Sequence, residues 1–237
     1  MAMHRSEIRE RVGMMKPHVV VGLSGASGAA IGLRIVEILG DLGAEIHLVV
    51  SRAAERTLLE EVGPDAMSHL RACAHYWHGV DDIGASIASG SFPTRGMIVA
   101  PCSMRTLAAI AHCQADNLLV RAADVHLKER RPLVLVARET PLHLGHLRAM
   151  AATTEAGAIV MPPAPAFYLK PASVAEIVDQ IARRAIDLLR LFEPVASQWR
   201  GPAEQRDANP FLVASTPSFD SAKVDAIKRV IPQERKE

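Results

Sequence analysis

"HVVVGLSGASGAAIGLRIVEILGDLG", residues 18–43, decides the fold. A short β-branched run, 18–23, enters a turn rich in glycine and serine: Gly22, Ser24, Gly25, Ser27, Gly28. Apolar residues at helical spacing then run over 29–43, so the stretch predicts strand, loop and helix. A turn of this kind brings backbone N–H groups and a helix N-terminus to one point, where a phosphate or an electron-rich ring edge can be held. The glycine spacing is G-x-x-G-x-x-G, which is neither the dinucleotide G-x-G-x-x-G nor the G-x-x-x-x-G-K-[ST] of phosphate-binding loops. A nicotinamide site would also need an acidic residue at the end of the second strand to hold the ribose, and Ser51 stands there. NAD is disfavoured on both counts.

The same alternation continues outward. "EIHLVV" (45–50), "GMIVAP" (96–101), "RPLVLVAR" (131–138) and "AIVMPP" (158–163) read as strands. Helical patterns follow them in "RAAERTLLEEV", "MRTLAAIAHC", "HLGHLRAMAATTEAG" and "SVAEIVDQIARRAIDLLRLF" (173–192). Apolar strands alternating with amphipathic helices predict an α/β fold: a doubly wound, Rossmann-like or flavodoxin-like parallel sheet in three layers, with ligands at the carboxyl edge of the strands. Residues 1–16 read as an N-terminal extension, 17–200 as the folded domain, and 201–237, mixing Pro, Ser and charge, as a surface-crossing or partly disordered tail.

Composition narrows the function. The chain has 237 residues, 49% hydrophobic and 4% aromatic, and 27 Lys and Arg against 26 Asp and Glu leave a net charge of +1. No global field draws in nucleic acid or an anionic membrane, so any anion site is local. Three cysteines without a C-x-x-C spacing suit a reducing compartment, and no apolar run reaches the length of a membrane span, so a cytoplasmic protein is expected. His143 and His146 stand at i, i+3 with no third ligand, which argues against a metal site.

Two further stretches carry chemistry. "APCSMRTLAAIA" opens a helix with Ser103, Arg105 and Thr106 in its first turn, which suits a phosphate monoester or, more plainly, a serine N-cap with a solvated arginine. "RAADVHLKERRPLVLVARETPL" gathers Arg121, Lys128 and Arg138 around a strand, with Glu139 beside the last, and predicts a local cationic pocket.

Together "GASGA", "SGSFPT", "APCSMRTLAAIA", "DNLLVRAADVHLKERRPLVLVARETPLHL" and "PAFYLKPASV" closely resemble the flavin prenyltransferase family, the UbiX-like proteins, over residues 18–200. The resemblance implies an FMN-binding domain that joins a dimethylallyl group from dimethylallyl phosphate to N5 and C6 of reduced FMN without a metal. The prenylated FMN passes to a UbiD-like decarboxylase, in ubiquinone synthesis or aromatic-acid metabolism, and the enzyme is a homododecamer with active sites at subunit interfaces. Carried over, Gly25, Ala26, Ser27, Ser51, Ser103, Met104, Arg105, Thr106 and Arg138 contact FMN. Arg121, Lys128, Tyr168 and Arg184 serve the prenyl phosphate, and Ser27, Glu61 and Glu139 are the catalytic groups. Trp199 corresponds either to an aromatic near the allyl pocket or to an interface tryptophan. Arg105 stands where the family often has lysine, Cys113 where glycine is common and Ser86 where proline is common. The alternatives are an FMN-dependent cysteine decarboxylase, which would need a histidine early in the chain that "GASGAAIG" lacks, and a flavin carrier without chemistry of its own.

Overall fold

The computed structural model describes residues 16–199 and Gly201. The predicted extension over 1–16 and tail over 201–237 lie outside the described residues, apart from Lys16 and Gly201. The chain divides into a compact unit up to Ser197 and a second unit from Gln198 onward, which contains Trp199. All the elements below belong to the first.

The strands are β1 (His18–Leu23), β2 (Glu45–Val50), β3 (Tyr76–His78), β4 (Gly96–Cys102), β5 (Leu133–Ala137) and β6 (Ile159–Val160). The helices are α1 (Ala29–Asp41), α2 (Arg52–Glu61), α3 (Ala66–Cys73), α4 (Met104–Ala111), α5 (Leu118–Lys128), α6 (Leu144–Glu155) and α7 (Val174–Asp187), with short 3-10 turns at Ser86–Ala88 and Phe167–Leu169. The strands form one sheet in the order β3-β2-β1-β4-β5-β6, every pair parallel. The order reverses between β1 and β4, so the crevice at their carboxyl ends is where a doubly wound sheet holds its ligand.

The core explains the layers. Val19, Val20 and Val21 have no exposed surface, and the strand alternates between two apolar clusters. Val19 and Val21 pack with α1, α2, α3 and α7 on one face; Val20 packs with α4, α5 and α6 on the other. α1 approaches especially closely, because a Cβ on Gly32 would lie 2.3 Å from the Ala100 carbonyl oxygen and 3.0 Å from Leu23.

Three elements escape the apolar pattern. α5 begins at an Asn117 cap whose side chain accepts from the Val120 N–H, a start signal the sequence does carry. α3 is short, and β3 has only three residues. β3 is held to the sheet partly by side chains: the His47 ring stacks on Tyr76 at 4.4 Å, and its Nδ1 pairs with His78 Nε2 at 3.0 Å. Buried His47 is pushed down to about 3, by burial first and then by the neighbouring histidines His78, His18 and His75, so it stays neutral. β6 is shorter than the predicted 158–163, because Pro162 and Pro163 have no N–H to continue the ladder. Cys113 has φ 54, the left-handed region that favours the glycine common at this place in the family it resembles.

Substituting Gly32→Ala should drive α1 off the sheet, since the new methyl meets backbone that cannot rotate away. A loss of about 1–3 kcal/mol is expected, read as a lower urea midpoint with an unchanged slope.

Candidate active site

The turns after β1 and β4 are joined by one buried side chain. The Ser24 hydroxyl donates to the Pro101 carbonyl at 2.9 Å and accepts from the Ser103 N–H at 2.7 Å, while the Ser24 N–H also donates to Pro101 O at 3.1 Å. Ser24 is 1% exposed. In the sequence a serine in a glycine turn reads as a spacer, and its partners lie 77 and 79 residues away, so no local signal marks it. From the other side α2 presses on the turn, where a Cβ on Gly25 would sit 2.3 Å from that of Ala53.

The N-terminus of α1 points at this crevice, but a carboxylate already fills it. Glu61, the last residue of α2, accepts from the Gly28 N–H at 2.8 Å and the Ala29 N–H at 2.9 Å through one oxygen. Of the two occupants the turn could hold, a phosphate or a ring edge, the first therefore does not have these N–H groups at its disposal. Burial pushes the Glu61 carboxyl up, yet the two N–H groups, the Ser27 hydroxyl and the Arg138 cation together bring it below its ordinary range. Ser27, Glu61 and Arg138 thus share one small volume. Arg138 reaches it directly from β5, its N–H donating to Cys102 O at 3.1 Å. Neighbouring Glu139 is exposed and accepts from the Thr140 N–H at 3.0 Å.

Two other helix N-termini face the same edge. Ser51 caps α2, accepting from the Ala54 N–H at 3.2 Å, and Ser103 caps α4, accepting from the Thr106 N–H at 3.3 Å and donating to its hydroxyl at 3.1 Å. The plain reading of a serine cap is right for Ser103, and Ser51 caps α2 in the same way. It leaves the first N–H groups of each helix, Met104 and Arg105 among them, without an intrahelical acceptor and aimed outward. The Met104 side chain is buried in the core, so only its backbone faces the crevice. Arg105 reaches sideways to Asp116.

The cationic residues do not meet in one protomer. Arg121, on the first turns of α5, pairs with Asp124 at 2.7 Å and donates to Ala88 O at 3.2 Å. Lys128 closes α5, pairs with Glu129 and lies against Gly90. α5 leads into the start of β5, so Lys128 stands at the amino edge, roughly 20 Å of strand from the glycine turn. The predicted pocket of Arg121, Lys128 and Arg138 is accordingly not formed within this chain alone. Tyr168 and Arg184 do come together, lining a cavity of about 90 Å³ with Gln180 and Ile181. His143 and His146 pack ring on ring at 3.6 Å, and His143 Nδ1 accepts from the Gly145 N–H, an N-cap contact.

Comparison with known proteins shows the family. Residues 7–186 match the model of the Flavoprotein family. The flavin prenyltransferase UbiX of Thauera aromatica is 50% identical over 187 residues, covering 79% of this chain and 96% of that protein. The chain belongs to the flavin prenyltransferase family. A crystal structure of AnUbiX (PadA1) in complex with FMN and dimethylallyl pyrophosphate superposes with a TM-score of 0.76 at 46% identity, covering 79% of this chain and 99% of that one. The dodecameric FMN-dependent UbiX-like decarboxylase from Escherichia coli O157:H7 gives 0.74 at 44%, covering 78% and 100%.

Two outcomes test the crevice. Ser24→Ala leaves the Ser103 N–H buried without its acceptor and should cost about 1–3 kcal/mol in chemical denaturation. Glu61 has a folded pKa below its unfolded value, so its stabilisation is present above about pH 4.3 and is lost as pH falls through the lower folded value. The stability gap between wild type and Glu61→Gln should therefore be widest near neutrality and close in acid, as urea midpoints taken across pH would show.

Proposed function

We propose that this protein transfers a dimethylallyl group from dimethylallyl phosphate to reduced FMN, forming prenylated FMN. The observation that carries the reading is the cluster of Ser27, Glu61 and Arg138 at the β1–β4 crevice, beside two helix N-termini that still have N–H groups to offer. These residues fit FMN. The N-termini of α2 and α4, with Ser51, Ser103 and Thr106, suit the flavin's phosphate, and the close-packed Gly25–Ser27 turn lets backbone approach its ring. Bound and reduced, the flavin supplies the nucleophilic N5 and C6.

The protein's own groups do the rest. Lys128, Tyr168, Arg184 and Arg121 hold the phosphate and stabilise charge on its oxygens as it leaves. Glu61, kept ionised, orients Ser27 and accepts the proton that must leave C6, with Glu139 as the further polar group beside Arg138. Because Lys128 lies at the amino edge of its own sheet, it completes the site of a neighbouring copy, so the functional unit is a homo-oligomer, and the dodecameric relative from Escherichia coli supports an assembly of twelve. The product is a cofactor for a UbiD-like decarboxylase in the cytoplasm. Among the described residues no helix is long and apolar enough to cross a membrane.

Anaerobic incubation with reduced FMN and dimethylallyl phosphate should add the mass of a dimethylallyl group to the flavin. Tyr168→Phe and Arg184→Ala should keep FMN affinity within a few fold while product formation falls about ten- to a hundredfold, the value of a charge-assisted contact. Loss of FMN binding in a folded Arg184→Ala protein would refute this assignment.

A further inference from the structure

A second cavity, of about 300 Å³, lies at the amino edge of the sheet, where α5, α6 and α7 all end. Its lining combines three arginines, Arg130, Arg131 and Arg190, with an apolar floor that includes Leu127, Ile159 and Leu188; no lining residue is acidic. Of the nearby carboxylates, Glu129 pairs with Lys128 and also lies in the field of Arg131, and Glu155 is exposed beside the lining residue Ala156. Asp187 accepts from the Val195 and Ala196 N–H groups.

The arginines differ in what they already do. Arg131 is spent largely on the 90–94 loop, donating to Gly90 O, Phe92 O and the Thr94 hydroxyl. Arg130 and Arg190 enter no ion pair among the described residues. Both also sit in left-handed backbone, at φ 57 and φ 55, two and three residues past the ends of α5 and α7. Glycine would take those positions without strain, so the arginine side chains are held there at a conformational cost. The ends of three helices bring partial negative charge to the same edge, each worth roughly half a charge, so a phosphate here is held by the guanidinium groups and not by the helices.

We propose that this cavity is a second anion site, one that takes a phosphate monoester with an apolar body. Arg130 and Arg190 hold the phosphate from two sides, Arg131 adds its field, and the apolar floor receives the organic group. A volume near 300 Å³ is at the small end of small-molecule sites, enough for one ring or a short chain. The site shares no residue with the glycine turn or with the Tyr168–Arg184 pocket.

Phenyl phosphate is the probe, titrated calorimetrically into the full-length Arg184→Ala protein so that the other phosphate pocket is disabled. Binding is expected, and adding Arg130→Gly and Arg190→Gly should weaken it about ten- to a hundredfold. Thermal stability should hold or rise, because glycine relaxes both φ angles. Equal affinity in the double-glycine protein, or no binding before those changes, would overturn the proposal; inorganic phosphate binding as tightly as phenyl phosphate would overturn the apolar part of it. In an otherwise wild-type chain the double-glycine change should leave flavin prenylation unaltered. A protein that failed to prenylate flavin yet bound phenyl phosphate here would refute the catalytic reading and not this one.

Discussion

The active crevice depends on one hydroxyl. Ser24 bridges the turns after β1 and β4 by donating to Pro101 and accepting from Ser103, at the place where the strand order reverses. Parallel strands splay at their carboxyl ends, since the chain leaves each for a helix on one face or the other, and a doubly wound sheet sends β1 and β4 to opposite faces. Without a tie those two turns would be free to part. The bridge sets the width of the crevice and, through Ser103, the start of α4.

The tie also explains why Glu61 can work as it does. With the β1 turn fixed, the first N–H groups of α1 have a defined direction, and the carboxylate at the end of α2 meets two of them. A helix N-terminus usually invites a ligand anion; here it is used to hold a side chain ionised next to Ser27 and Arg138. The cost is basicity, because a carboxylate stabilised in this way takes up protons less readily. On the proposed reading, what is gained is a fixed orientation for Ser27 beside the carboxylate. The N–H groups left open to an anion are those of α2 and α4, where the proposed reading puts the flavin's phosphate.

Charge is distributed over the whole protomer in the same spirit. Cationic groups stand at the carboxyl edge in Arg138 and at the amino edge in Lys128 and the arginine cavity, with the Tyr168–Arg184 pocket a separate place. A sheet cannot bend its amino edge round to its carboxyl edge, so a reaction that needs Lys128 and Ser27 together requires a second copy. A near-neutral net charge is compatible with strong local fields when cations are placed this way.

Much of this was legible in the amino-acid order alone. β1, the glycine turn and α1 follow from β-branched and helical periodicity, which are short-range properties of one stretch of chain. The motifs likewise point to the family, and to Ser27, Glu61 and Arg138 as residues of interest. The structure alone showed that Glu61, 33 residues from Gly28, occupies the helix N-terminus that periodicity would reserve for phosphate. It alone showed that Ser24 is the tie, that Met104 turns inward, and that Lys128 and Arg138 stand at opposite edges despite lying ten residues apart. The reason is the same in each case. Local pattern determines which segments are helix or strand, but the direction of a side chain at an element's end, and which edge that end occupies, come from how the crossovers pack on the sheet.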